Sequence, residues 1–192
     1  MPNLILASAS PRRKELLAQL KIAPNSTIPA DIDEAPLKNE LPKNYATRMA
    51  FEKASKIAQA QKNAFILSAD TVVSCGRRIL PKAETDEEVQ KCLKILSGKK
   101  HSVLTAIYII APDGRKASKL VLTKITFKKL TAAEIKNYIK NTEGIGKAGG
   151  YAIQGLAAAF VKSINGSYSS VVGLPLYETR NALEGLGYAN DK

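Results

Sequence analysis

The sequence predicts a mixed α/β fold of two lobes sharing a central cleft, because strand–helix units and a local hairpin occur in one chain with no linker between them. An apolar run, Leu4–Ala7, leads through a small polar turn into a helix start at Pro11. Two β-rich runs, His101–Ala111 and Lys116–Lys128, flank Pro112-Asp113-Gly114-Arg115, a turn signal that should pair them antiparallel. Thr85 with Glu88 and Thr131 with Glu134 have the spacing of capping boxes and mark two further helix starts.

Taken in order, Leu4–Ala7 suits a buried strand, and Leu16, Leu17 and Leu20 give the next helix its inward stripe. Residues 25–43 hold Pro29, Pro36 and Pro42 around Asp31, Asp33 and Glu34, an irregular stretch whose carboxylates are free to face a cleft. Asn44–Gln61 reads as an amphipathic helix with Tyr45, Met49, Ala50, Ile57 and Ala58 near one face, while Arg48, Lys53 and Lys56 lie elsewhere and are expected mostly in solvent. Phe65–Val73 is a strand with one acid, Asp70, among apolar neighbours. Burying that charge alone would cost several kcal/mol, so Asp70 should have a cation, a metal or hydrogen-bond donors at hand, or else cap a strand end. The first boxed helix should span Asp86–Leu96 and stop at Ser97-Gly98; the second starts after Thr131 and fades near Asn141. Residues 144–150 are too rich in glycine to be helical, Phe160–Ile164 is another strand, and Pro175–Leu183 a last helix closed by Gly185 and Gly187. No internal repeat is present, and a single domain over residues 1–192 is expected.

Composition narrows the function. With 45% hydrophobic and 24% charged residues, disorder is not expected. No apolar run approaches the roughly 20 residues that span a bilayer, and the first one is stopped by Ser8, Ser10 and Pro11, so neither membrane insertion nor a signal peptide is expected and the cytoplasm is the expected location. Cys75 and Cys92 are isolated and His101 is the one histidine, which argues against a zinc site or a disulfide framework; both thiols should be buried. His101 has no nucleophile elbow to serve and should hold a structural hydrogen bond at a strand start.

Lysine and arginine outnumber aspartate and glutamate 29 to 17, a net charge of +12 that favours anionic partners. The basic residues are scattered, tryptophan is absent and no aromatic–basic stretch occurs, which lowers nucleic acid below a small polyphosphate as the anion. One cluster stands out. Arg12, Arg13 and Lys14 fill the first turn of the opening helix, where the unpaired backbone N–H groups already carry about half a positive charge and each added cation costs about 0.3 to 1 kcal/mol. An anion seated there removes the conflict. Ser10 is a good N-cap, Pro11 a good first helical residue, and the hydroxyls of Ser8 and Ser10 can donate to phosphate oxygens. The other reading is a capped surface helix whose arginines point to water.

Five segments occur together: Ser8-Ala-Ser-Pro-Arg-Arg13, Ala69-Asp-Thr-Val-Val73, Leu96-Ser-Gly-Lys-Lys-His101-Ser-Val-Leu-Thr105, Lys147-Ala-Gly-Gly-Tyr-Ala-Ile-Gln-Gly155 and Val172-Gly-Leu-Pro175. In this order they resemble the Maf family of nucleotide pyrophosphatases, and the resemblance runs from about Leu4 to Glu178. It implies an elongated two-lobed fold with a central cleft and hydrolysis of nucleoside triphosphates to monophosphate and pyrophosphate with a divalent metal, Mg²⁺ or Mn²⁺. Many members are dimers, which leaves a homodimer open. Carried over by position, Ser8, Ser10, Arg12 and Arg13 fall on a phosphate-binding motif. Lys53, Lys82 and Gln154 are further substrate-binding residues, Asp70 is the catalytic base, and Glu34 shares the metal with Asp70. Thr71 and Gln154 resemble the branch acting on dTTP and UTP, a reading that extends to modified pyrimidine nucleotides. Two departures stand out: Pro81-Lys82-Ala83 replaces the usual Gly-Lys-Pro, and Gly146 stands where an acid is common.

The implied roles match what phosphoanhydride cleavage needs, namely cations on the phosphates, an oriented water and a stabilised leaving group. A free aspartate, with a pKa of about 3.9, is a weak base, so Asp70 would act on a water already acidified by a metal. Two carboxylates with phosphates completing the shell suit a hard cation. The rival reading is a non-catalytic protein that binds a nucleotide or nucleic acid in the same basic cleft.

Overall fold

The computed structural model describes residues 2–189, so Met1 and residues 190–192, the ends of the expected domain, lie outside the described residues. The elements run β1 (Leu4–Ala7), α1 (Pro11–Gln19), β2 (Ser26–Thr27), α2 (Pro42–Ala60), β3 (Phe65–Cys75), β4 (Arg78–Leu80), β5 (Lys82–Ala83) and α3 (Asp86–Leu96). They continue with β6 (Lys100–Ile110), β7 (Lys116–Phe127), α4 (Ala132–Lys140), β8 (Lys147–Ala148), a 3₁₀ turn (Leu156–Phe160), β9 (Val161–Asn165), α5 (Tyr168–Val172) and α6 (Leu176–Gly185). A seven-stranded mixed sheet has the order β2-β1-β3-β6-β7-β9, with β4 also paired to β3; β5 and β8 form a separate two-stranded sheet.

The strand alternation of β3 and β6 divides the core. Ile66 and Val72 of β3 and Leu104 and Ala106 of β6 face α2, where Ala46, Ala50, Ala54 and Ile57 cover them. The opposite face carries Leu67, Ala69, Val73, Val103 and Ile107 and packs against the inward stripes of α1, α3, α4 and α6, represented by Leu17, Leu93, Ile135 and Leu183. Small residues along α2 let that helix lie close to the sheet, and Lys53 is carried inward with them.

Register creates the cleft. β1 runs parallel to β3 and ends at the pair Ala7↔Ser68, while β4 joins the same edge of β3 only at Val73↔Leu80. Between them Ala69–Val72 have no strand neighbour on that edge, although β6 pairs the other edge throughout. This gap lies at the carboxyl end of β1, where ligands of open α/β sheets bind. Alternation sends Asp70 toward α2 and Thr71 toward the opposite face, so both border the gap.

The expected helices and hairpin form, with shifts at the ends. α2 begins at Pro42, which as the first helical residue has no N–H to lose. At α4 both halves of the Thr131–Glu134 capping box are present, whereas Glu88 bonds the backbone of Glu84 and only Thr85 caps α3. Sequence pattern misses β2, β4, β5, β8, the 3₁₀ turn and α5. β8 exists because Gly146 and Gly149 adopt left-handed φ angles of 68° and 69°, which bring the glycine-rich loop into register with β5. Cys92 is buried as expected, but Cys75 is half-buried.

Candidate functional site

A cavity of about 550 Å³ fills the gap beside β3. One wall is the β1–α1 loop, the floor is β3, and the facing wall is built from β5, β8 and residues 151–154. Ser8, Ser10, Arg12, Arg13, Glu34, Lys53, Asp70, Thr71, Lys82 and Gln154, which the sequence singled out from points far apart in the chain, all line it.

At the acidic end the chemistry centres on Lys53. The helix-face pattern expects this cation in solvent, yet it is only 6% exposed, because Ala50 and Ala54 on the same side of α2 draw it against the sheet. Its Nζ donates to Asp70 Oδ1 at 2.7 Å and lies 2.8 Å from Glu34 Oε1. Asp70, also 6% exposed, thus has the cationic partner its burial demands. Among the described residues no group bonds its second oxygen, which is left for a ligand. The Tyr45 hydroxyl donates to the Glu34 carbonyl at 2.9 Å and pins the proline-rich loop, and Lys82 reaches Glu34 Oε2 at 3.2 Å from a side chain that is 55% exposed. Burial raises the Glu34 pKa, but hydrogen bonds and charge from Lys53, then Lys82, outweigh it and hold the carboxyl below its usual range.

The opening helix borders the same cavity, near enough for Arg13 to feel the charges of Asp70 and Glu34. Ser10 occupies the N-cap position, but its side chain makes no capping bond. Ser8 takes part of that work: its Oγ accepts from Ser10 N at 3.2 Å and from Arg13 Nη1 at 2.8 Å, and its own proton remains to be donated. Arg13 also donates through Nε to the Gly173 carbonyl at 2.9 Å, so its guanidinium is held at the cavity wall by neutral acceptors. Burial lowers its pKa, opposed by the charge of Asp70. Arg12 is half-buried, and burial lowers its pKa too.

Lys147 is a cavity residue that the sequence reading did not select. Its pKa is lowered by burial and then by the charge of Arg12. Among the described residues neither Lys147 nor Arg12 forms an ion pair, so two cations face each other across the cavity with no salt-bridge partner. Lys147 could have been found as the one cation within a glycine-rich loop, residues 144–150. Its partner Arg12, however, is more than 130 residues away in the chain.

The remaining wall is neutral. The Thr71 and Thr105 hydroxyl oxygens are 3.0 Å apart, and the Gln154 side chain makes no hydrogen bond among the described residues, leaving its amide free. Tyr151 lines the cavity and its hydroxyl bonds His101 Nε2 at 2.8 Å, the kind of structural hydrogen bond expected of this histidine.

Two carboxylates around one ammonium show that this point takes positive charge. No group of three His, Cys, Asp or Glu among the described residues could cage a metal. Both Glu34 oxygens are engaged by Lys53 and Lys82 and one Asp70 oxygen is unbonded, and carboxylate oxygens of this kind are the ligands hard divalent cations take.

Comparison with known proteins finds relatives over nearly the whole chain. Residues 3–186 match the model of the family described as Maf-like protein. The dTTP/UTP pyrophosphatase of Caulobacter vibrioides (strain ATCC 19089 / CIP 103742 / CB 15) is 57% identical over 97% of this chain and 97% of its own. That of Paramagnetospirillum magneticum (strain ATCC 700264 / AMB-1) is 54% identical over 98% of this chain and 100% of its own. Among solved structures, the Staphylococcus aureus Ham1 protein aligns at 16% identity with a TM-score of 0.46, covering 65% of this chain and 71% of that one.

Proposed function

The chain belongs to the Maf-like protein family, and from that premise we propose that it is a nucleoside triphosphate pyrophosphatase acting on dTTP and UTP. The observation that carries this reading is the polarity of the cavity. Arg12, Arg13 and Lys147 line it without salt-bridge partners, and the buried Lys53–Asp70 pair with Glu34 lines the same cavity. Relatives that are more than half identical over nearly their full length are named for this activity.

The triphosphate lies against Ser8, Arg12 and Arg13, where the α1 N-terminus adds its partial charge. Water attacks the α-phosphorus, the bond to the oxygen bridging the α- and β-phosphates breaks, and monophosphate and pyrophosphate leave. Asp70 accepts the water's proton on the oxygen that Lys53 does not bond. Lys53 keeps that carboxylate ionised and oriented, while Arg13, Lys82 and Lys147 neutralise the leaving pyrophosphate. A divalent cation held by Glu34 and Asp70 together with the phosphates would supply acidification of water and charge shielding. Gln154 and Thr71 contact the base.

A homodimer fits the same reading. Register places Leu120 and Leu122 of β7 beside Ala106 and Leu104 on the α2 face, and both leucines are exposed, as is Phe51 of α2. No helix among the described residues is long and apolar enough to cross a membrane. The proposed substrates, free nucleotides, place the enzyme in the cytoplasm.

The test is a panel of nucleoside triphosphates with Mg²⁺ or Mn²⁺, scored for pyrophosphate against orthophosphate. Pyrophosphate and monophosphate from dTTP and UTP are expected. Asp70→Asn should lower kcat by about 100-fold or more. Orthophosphate as the product, or full activity of that variant, would overturn the mechanism.

A further inference from the structure

A threonine hydroxyl has one proton and can serve as donor or acceptor, so by itself it does not discriminate between the edges of two pyrimidines. Thr71 is a different case because its neighbours have decided the matter. Thr105 lies directly across from it in the β3–β6 ladder, on the same face. Thr105 Oγ1 is 2.7 Å from the Ser170 carbonyl, which can only accept, so the Thr105 proton is committed to that bond. The commitment is firm. α5 is only five residues long, and Leu174 N–H, which would serve the Ser170 carbonyl in a longer helix, bonds Ser169 O instead. Thr105 and Ser170 are fully buried, so water does not replace the bond. At 3.0 Å from Thr105 Oγ1, Thr71 must therefore be the donor, and its oxygen presents only lone pairs to the cavity.

We propose that Thr105 is a positioning residue that locks Thr71 as a pure acceptor, and that this acceptor selects pyrimidines bearing an N3–H, uracil and thymine, against cytosine, whose N3 is itself an acceptor. Gln154 does not make this choice, since its unbonded amide can turn to present either oxygen or nitrogen. The discriminating group has to be one whose polarity is fixed by the protein. This rests on the proposed pyrophosphatase activity and names the atom of the base that the site reads.

The experiment compares UTP, CTP and 3-methyluridine triphosphate on the intact chain, with inorganic tripolyphosphate as a competitive inhibitor. The unsubstituted protein should prefer UTP over CTP and over the 3-methyl analogue by about 30-fold or more in kcat/KM, because an acceptor covered by the bound base and facing no donor is left unpaired. In Thr105→Val the Thr71 hydroxyl is free to turn, and the UTP-to-CTP ratio should fall about 10-fold, expressed in KM, with the tripolyphosphate inhibition constant unchanged. Thr105→Ser keeps the hydroxyl and should restore the ratio. Turnover of 3-methyluridine triphosphate at the rate of UTP by the unsubstituted protein, an unchanged ratio in Thr105→Val, or failure of Thr105→Ser to rescue would overturn the proposal. The methylated substrate needs no variant, so that arm stands even if Thr105→Val does not fold. Absence of pyrophosphate from both UTP and dTTP would instead overturn the activity itself.

Discussion

Lys53 is legible in the sequence as a candidate ligand of phosphate, but its periodicity alone puts it on the wet side of α2. Its burial follows from what surrounds it: Ala46, Ala50 and Ala54 leave room for one long side chain beneath the helix, and two acids from separate segments meet it there. Removing one partner of such a pair leaves a buried charge uncompensated. Lys53→Ala should therefore lose on the order of 3 kcal/mol of stability in urea denaturation. Lys82→Ala, at an exposed contact to the same Glu34, should lose less than about 1 kcal/mol. Equal losses would show that the charge at 53 is hydrated. Because Glu34 titrates below its usual 4.5, its contribution is present at neutral pH and fades only as the pH falls through that lowered value. Arg13 is the opposite case, since its position at a helix start already implied an anion, and the Gly173 and Ser8 contacts hold it at the cavity.

At the scale of elements, the 151–154 segment owes its place to anchors on β6 and α4. Tyr151 bonds His101, Ala152 N–H donates to the Tyr138 hydroxyl at 3.0 Å, and Phe127 meets His101 edge-on with 4.9 Å between ring centroids. His101 is 2% exposed, and burial pushes its pKa from 6.5 down to about 4. The folded ring therefore stays neutral while the unfolded one binds a proton, so stability should fall as the pH drops from 6.5 toward 4, by on the order of 3 kcal/mol. Denaturation midpoints for the protein and His101→Gln across this range check it. The variant should be less stable at pH 7 and lose less on acidification, and parallel curves would remove His101 as the cause. Glu134, in the capping box of α4, titrates the other way. Hydrogen bonds from Lys128 and Thr131 lower its pKa from 4.5 to about 2, so its contribution survives above that window and is lost as the pH falls through it. Both halves of that box are visible in the sequence as Thr131 and Glu134. The His101–Tyr151 anchor is not, because 50 residues separate the partners.

For the whole molecule, the net charge of +12 and the exposed apolar patch bear on association. Like charge opposes self-association, while the exposed Leu120, Leu122 and Phe51 favour it. Light scattering should give a dimer mass that falls to the monomer in Leu122→Asp, with nucleotide hydrolysis retained; a monomer at all concentrations would leave the patch without this role. The capped helices, the antiparallel hairpin, family membership and the cationic start of α1 are determined by the sequence alone, since each depends on residues a few positions apart or on short contiguous motifs. Tertiary structure alone decided that Lys53 is buried, that Lys147 faces Arg12 and that the Thr71 hydroxyl meets Thr105 across the ladder. Those outcomes depend on where β1 stops against β3 and on which residues β6 and β8 bring opposite one another, and such long-range register is carried by packing rather than by local preference.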